Sequence, residues 1–471
     1  MPTVQQWVKH LLGKIEDQKS YAEPFEKRYR NEYVLPFIAA EYREVYGDAS
    51  VNALTAIQAP RTGTAGVVVD ALVERMTVRG ATSDDVNAAR LVEQAWEDND
   101  LDVMHREAHR ESLIKRTAFA QVSRSADGER AIVGVDTAEQ MAVHREPGPP
   151  YDVDAALKVS VDEWTGRRTA RLWLPGRDID LEERPESMPD PEGSSVWSRW
   201  AVVDEKPSGL PGVPVVEFSR SARPIAPPTS EIERIATEVD IVDLIEGLMV
   251  FAGHFGAVPI RYGTGLDVPR DPKDPTKPLL GPDGKPLIGF NARADHFWAS
   301  TSKDAKFGQL TPAGLESFVS WANHASSRIR AQTAVASTYF SLDLKSHMSA
   351  ELLKTDEAPM VRRVNAMGRD GSYGQGWRRV QRWILMIEDP TSKARVSPIW
   401  ANPETRIETQ DADVHAKLAP SLGARTVAEK VLGWSPEEAE RGVAEAAETA
   451  AQRDPLGFNL KTGAFGAGSG S

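Results

Sequence analysis

The chain reads as an α+β protein of more than one structural unit, and three observations carry that reading. The first 125 residues follow helical spacing, and residues from about Thr117 to Arg220 break into short β-rich runs. Two long amphipathic patterns, beginning at Ser230 and Thr311, then flank a stretch dense in proline and glycine. At 471 residues the chain outgrows a single typical core. With 41% hydrophobic and 27% charged residues it has the composition of a folded chain, not a disordered one.

Taken in order, "AGVVVDALVERMTV" places Val67, Val68, Leu72 and Met76 at helical spacing, and Leu91, Val92, Ala95 and Trp96 continue it. The texture then changes to "TAFAQVSR", "RAIVGVD", "ALKVSVDEW", "RTARLWLPG", "SVWSRWAVV" and "VPVVEFSR", each bounded by Gly, Pro or Asp. A proline-rich break, "SARPIAPPT", precedes a long helix. Ser230 as N-cap and Glu233 form a capping box, and Ile232, Ile235, Val239, Val242 and Met249 supply the stripe. The excursion that follows contains "GPDGKPL", a hairpin-like turn. The second long helix starts with Thr311 as N-cap and Pro312 at the first helical position, and carries Leu315, Phe318, Val319, Ala322 and Ile329 as its apolar stripe. A polar loop over 336–348 leads into a helix from Ser349, a break at "GRDGSYGQG", and a helix in "WRRVQRWILMI". A small helical domain and a disordered "TGAFGAGSGS" tail end the chain; there is no internal repeat.

The formal net charge of −13 argues against a protein that grips nucleic acid by bulk attraction. The absence of cysteine excludes a disulfide framework and a thiolate metal site, and points to assembly inside a cell. No signal peptide is expected from "MPTVQQWVKHLLGKIEDQ". No membrane span is expected from "VDLIEGLMVFAGHFGAVPI", which carries Asp243, Glu246 and His254.

Motifs with chemical content are weak. "HREAH" sets His105 and His109 one turn apart, but its glutamate is Glu107, on another face from the one a zincin needs, so a solvated helix surface is expected. "GRDGSYGQG" has no preceding strand and no Lys-Ser/Thr pair, so it reads as a helix break. In "DPKDPTKPLLGPDG" prolines interrupt the ligand positions of a calcium loop, leaving turns. No G-x-S-x-G stretch is present, and the nine histidines assemble no acid–base set. The chain is expected not to be an enzyme and to use no metal or cofactor; a triad hidden by the fold is the competing reading. The helix from Ser230 carries Glu231, Glu233, Glu238, Asp240, Asp243 and Glu246 against Arg234 alone. Such a run is either an ordinary solvated face or a wall that repels polyanions.

A set of ordered strings then resembles the portal proteins of long-tailed, siphovirus-type double-stranded DNA bacteriophages. They are "YVLPFIAAEYRE", "VVVDALVERMTVRG", "EDNDLDVMHREAHRESLI", "GLPGVPVVEFSR", "SEIERIATEVDIVDLIEGLMVFAGHFGAVPIR", "DAKFGQLTPAGLESFV", "SAELLKTDEAPMVRRV" and "GQGWRRVQRWIL", spanning most of residues 33–390. The resemblance implies a portal fold forming a ring of identical subunits, typically twelve, at one capsid vertex. The genome is packaged through it and later ejected.

The implied division is an N-terminal arm over 1–24, a mixed helical and β wing over 25–225, and stem helices over 226–258 and 306–335 around a clip over 259–305. A tunnel loop over 336–348, a tunnel helix with return to the wing over 349–399, a helical crown over 400–455 and a disordered tail over 456–471 complete it. The implied partners are further copies of the chain, double-stranded DNA without sequence specificity, the terminase large subunit, the head–tail connector, and the major capsid and scaffolding proteins. No membrane is implied; assembly in the host cytoplasm and residence in the virion are. On these terms Ser341, Lys345, Ser346 and His347 would touch DNA, Glu233, Asp240 and Asp243 would line the channel, and Arg270, Lys273, Lys277 and Lys285 would dock terminase or connector. The alternative is another head-completion or minor capsid protein. Three departures stand out: "IKRTAFA" where such proteins often carry a glycine near residue 116, "TAVASTYF" before the tunnel loop, which lacks the prolines expected there, and Pro359 interrupting the helix after the loop.

Overall fold

Antiparallel pairing accounts for every strand ladder among the described residues, so helices and strands segregate as in an α+β protein and not as βαβ units. The computed structural model describes residues 2–33, 61–148, 152–184, 199–220, 227–257, 261–265, 270–280, 304–309, 314–340, 349–404, 423–430 and 436–453. The chain divides into two units. The first holds residues 1–26, 67–233 and 334–471, and the second holds 27–66 and 234–333.

Sheets dominate the first unit. Helix α1 (Val4–Tyr29) begins in it, followed by α2 (Thr64–Arg75), strand β1 (Val78–Ser83), α3 (Val86–Asp98) and α4 (Leu101–Lys115). Strands β2 (Thr117–Arg124), β3 (Ala131–Thr137), β4 (Met141–Arg145), β5 (Val153–Val161), β6 (Arg168–Leu174), β7 (Arg177–Glu183), β8 (Trp200–Pro207) and β9 (Val215–Ser219) come next. They form a five-stranded meander, β4 to β8 in order, and a three-stranded sheet in the order β3-β2-β9.

Period-two alternation sorts the meander's side chains. Leu157, Val159, Leu172, Leu174, Ile179 and Leu181 meet α1, whose Val8, Leu11, Leu12 and Ile15 recur at i, i+3, i+4 and i+7. Each such large side chain contributes about 1.5–3 kcal/mol on burial. Met141, Ala156 and Trp173 point the other way, onto Phe119 and Val215 of the smaller sheet. The segment expected as an N-terminal arm is therefore built into a core.

A second core lies under α8 (Ser372–Glu388), which follows α7 (Ala350–Met367) and precedes β14 (Val396–Trp400), the partner of β1. Trp377, Tyr373, Trp96, Phe218 and both histidines of "HREAH" pack there. The expected solvated surface is thus corrected. His105 and His109 are fully buried on the same stripe of α4 as Leu101, Ala108 and Ser112. His105 Nδ1 bonds Leu101 O at 2.6 Å and its Nε2 accepts from Val78 N at 3.1 Å; His109 Nε2 accepts from Trp377 Nε1 at 2.8 Å. Both rings are held neutral by acceptor roles that a proton would destroy.

The break is shorter than expected: Gly368 and Gly371 separate α7 from α8, whereas Gly374 and Gly376 lie inside α8, where a Cβ on Gly376 would meet the Phe218 ring at 2.5 Å. Helices α9 (Ala424–Lys430) and α10 (Pro436–Arg453) pack on each other near the end of the described chain.

The second unit contains α5 (Ala236–Ala257), β10 (Arg261–Thr264), β11 (Arg270–Asp271), β12 (Asp274–Pro278), β13 (Lys306–Gln309) and α6 (Glu316–Thr333). Strands β10 and β13 pair antiparallel, so both ends of the proline-rich excursion meet at one short ladder beside the helix ends. The "GPDGKPL" turn and the disordered-tail expectation lie outside the described residues, as do Thr311 and Pro312.

Burial pushes the His105 pKa down to about 4 from 6.5, and it likewise holds that of His109 well below its ordinary value. The unfolded chain therefore takes up protons first, and the stability that neutral His105 contributes is complete above pH 6.5 and is lost towards pH 4. Lowering the pH from 7 to 4.5 is expected to remove about 2.5 kcal/mol through His105 alone. A fall in the urea midpoint between those pH values checks this; a constant midpoint contradicts it.

Candidate functional site

The described residues on either side of 341–348, the segment to which the resemblance assigns DNA contact, are braced within the first unit. Residues Ser337–Tyr339 form a single 3₁₀ turn, and Ser349 caps α7 by accepting from Leu352 N at 3.3 Å. Asp356, two turns into α7, accepts from Ser337 N at 2.6 Å and from Ser337 Oγ at 2.7 Å. Its neighbour Glu357 takes the Arg75 guanidinium through both oxygens, at 3.0 and 3.3 Å. Arg75 also donates to Pro403 O at 2.8 Å and to Tyr339 Oη at 3.4 Å, and Tyr339 Oη donates to Glu74 at 3.2 Å. With this turn held from outside, α7 runs unbroken through Pro359, which corrects the expected interruption. Ser341, Lys345, Ser346 and His347 themselves lie outside the described residues.

The acidic segment from Ser230 divides into two environments. Residues 231–235, where the chain leaves the first unit after residue 233, are turns and not helix, and no capping box forms. The reason is competition: Tyr21 Oη takes the Ser230 N–H at 2.9 Å and donates to the Glu233 carboxylate at 2.6 Å. Burial and the Glu233 bond push the Tyr21 pKa up to about 12. Ser230 Oγ donates to Leu113 O and accepts from Ile232 N. Glu231 is fully buried against Arg363 at 2.6 Å and Arg220 at 3.6 Å. Glu233 remains exposed.

In the second unit the acids of α5 turn inward. Arg28 forks onto Asp240, with Nε–Oδ1 at 3.1 Å and Nη2–Oδ2 at 2.9 Å. Asp243 accepts from Tyr33 Oη, from Thr62 N at 2.9 Å and from Thr62 Oγ1 at 2.6 Å. The guanidinium of Arg28 stands 4.9 Å above the Tyr33 ring and that of Arg61 5.5 Å from it. Burial, then the Asp243 bond, raises the Tyr33 pKa well above that of a free phenol.

Glu238 joins α5 to α6 through Arg328 at 2.7 Å and Gln332 at 3.0 Å. Asp240 and Asp243, read from sequence as an exposed channel wall, are therefore buried and committed within the chain. Only the partners reveal this: Arg28, Tyr33 and Thr62 lie some 180–210 positions away, and no local pattern announces them.

Below these pairs Val239, Val242 and Ile245 of α5 are buried, as are Ala325 and Ile329 of α6. Val250, Leu315, Val319 and Trp321 are not, at 48, 39, 45 and 69% exposed. The β11–β12 hairpin displays its basic residues outward. Asp271 accepts from Lys273 N and Asp274 from Thr276, so these aspartates shape turns, as expected. Lys273 is exposed, Arg270 donates to Pro275 O at 2.8 Å, and Lys277 pairs at 3.3 Å with Asp274. Lys285 lies outside the described residues. Among the described residues no cluster of three or more His, Asp or Glu could hold a metal, and no helix is long and apolar enough to cross a membrane.

No family model matches the chain, and no curated protein matches it significantly. Solved structures similar to it include a chain of the neck of a native gene transfer agent particle, computed with C12 symmetry. The likeness is at 10% identity and a TM-score of 0.42 over 82% of this chain and 90% of that one. A chain from the virion of a native gene transfer agent particle is similar at 10% identity and a TM-score of 0.39, over 82% and 93%. Neither likeness is close enough to fix the fold or the function.

Replacing Arg28 by Met strands the buried Asp240 carboxylate and is expected to cost about 3 kcal/mol. Arg28→Met/Asp240→Leu is expected to recover most of that. Urea unfolding of the single and double variants measures both; a single-variant loss below about 1 kcal/mol would show a solvent-screened pair instead.

Proposed function

We propose that this chain is a phage portal protein: a non-enzymatic subunit of a closed, homododecameric ring at one capsid vertex. DNA passes through the ring during packaging and ejection, and terminase and then the head–tail connector dock on it. The ordered strings over residues 33–390 suggest the assignment, and one structural observation carries it. The paired helices α5 and α6 leave Val250, Leu315, Val319 and Trp321 open to water although their inner stripes are filled. Side-by-side copies in a closed ring cover such surfaces without open-ended growth. In this reading the hairpin with Arg270, Lys273 and Lys277 belongs to the clip. Lys345, repeated around the ring, gives weak contact to phosphates without sequence preference.

The burial of Asp240 and Asp243 narrows the repulsive-wall idea, since in each subunit only Glu233 of those three acids is exposed. A head-completion or minor capsid role is the second reading; mass spectrometry of virions separates the two by subunit stoichiometry.

Trp321→Glu with Val319→Asp is expected to leave a folded monomer and abolish ring formation, because both side chains are already exposed in the single chain. Mass photometry reads the outcome; rings formed by the double variant would remove this face from the interface. Lys345→Glu is expected to impair packaging while rings still assemble, and normal packaged genome length in that variant rejects its role.

A further inference from the structure

Apart from the helices of the second unit, the first unit carries a cleft of about 330 Å³ whose wall includes Lys14, Arg116, His144, Arg145, Asp17 and Glu217. Two of its cations are occupied. Arg145 pairs with Glu217 at 3.0 Å, and Lys14 Nζ donates to Val143 O at 3.0 Å. Arg116 is not: its half-buried guanidinium lies 4.5 Å from the centre of the Tyr21 ring and makes no hydrogen bond or ion pair among the described residues.

Its backbone is the second observation. Arg116 follows the last residue of α4 with φ 67° and ψ −34°, a positive-φ position at a helix end where glycine is the unstrained choice. An L side chain there costs conformational energy that the surrounding structure must offset, and such outliers concentrate at binding and catalytic sites. The strained turn sets a planar five-donor fork on an aromatic face in the wall of a cleft.

We infer that this cleft is an oxyanion site in which Arg116 grips a single carboxylate or phosphate group bidentately, with Lys14 and His144 beside it. Asp17 and Glu217 in the same wall oppose a polyanion and favour a ligand presenting one such group. The inference does not depend on the ring.

Thermal unfolding of the full chain in sodium phosphate and in sodium glutarate, each against sodium chloride at equal ionic strength, tests it. The unfolding midpoint of the natural chain is expected to rise saturably with phosphate, glutarate or both, and the more effective anion identifies the group. Arg116→Asn and Arg116→Gly, which both remove the fork, are expected to raise the half-saturating concentration at least tenfold, while the midpoint of the glycine variant, which suits the positive φ, stays equal or increases in chloride. No rise with either anion in the natural chain, or an undiminished rise in both variants, overturns the site. A lower midpoint in chloride with the rise retained would make Arg116 a packing residue over Tyr21.

Discussion

A buried carboxylate must be matched donor for donor, and in the second unit that requirement governs what else is possible. Asp240 and Asp243 have left water on α5, a loss that only well-aligned partners offset. Those partners, Arg28 with its forked contact and Tyr33 and Thr62 on the next acid, come from segments that the chain delivers more than 170 residues earlier. Net stability is the lesser product of such pairs, because an apolar replacement can equal it. Register is the greater one, since a shift of one residue along α5 would strand both carboxylates. Glu238 extends the same logic to α6 through Arg328 and Gln332.

Fixing the helices by polar contacts leaves only a narrow inner apolar stripe, and the remaining large side chains face outward. Val319 and Trp321 are therefore products of the same constraint that buries the acids. A ring of like copies gives them a place to go, whereas a lone helix pair has none. The first unit solves its burial differently, by sandwiching the meander between α1 and the three-stranded sheet, and by filling the space under α8 with aromatic rings and two neutral histidines.

Much of this was legible in the sequence, and the misses share a cause. Period-two runs located the strands from Thr117 onward, and the stripes of Val239, Val242 and Ile329 located the two long helices. The glycine break before Ser372 was also visible. What failed were inferences that took a polar letter inside a helical stripe for an exposed side chain, whereas Glu233 and the basic residues of the β11–β12 hairpin are exposed as read. His105 and His109 sit on an apolar stripe, Asp240 and Asp243 on an inner face, and Ser230 loses its capping partner to Tyr21. In each case the deciding neighbour is distant: Trp377 for His109, Arg28 for Asp240, Tyr21 for Ser230. Arg116 lay in "IKRTAFA", where a missing glycine was the only sign, and its positive φ belongs to three dimensions.

A second unit that is complete only among copies of itself must assemble as a closed ring. Rotational symmetry of the purified, assembled particle, taken from electron microscopy class averages viewed down its axis, tests it most directly. The account predicts one closed ring with an axial hole and a single rotational order. A particle that stays monomeric in every assembly condition, or that grows as open filaments, would contradict it.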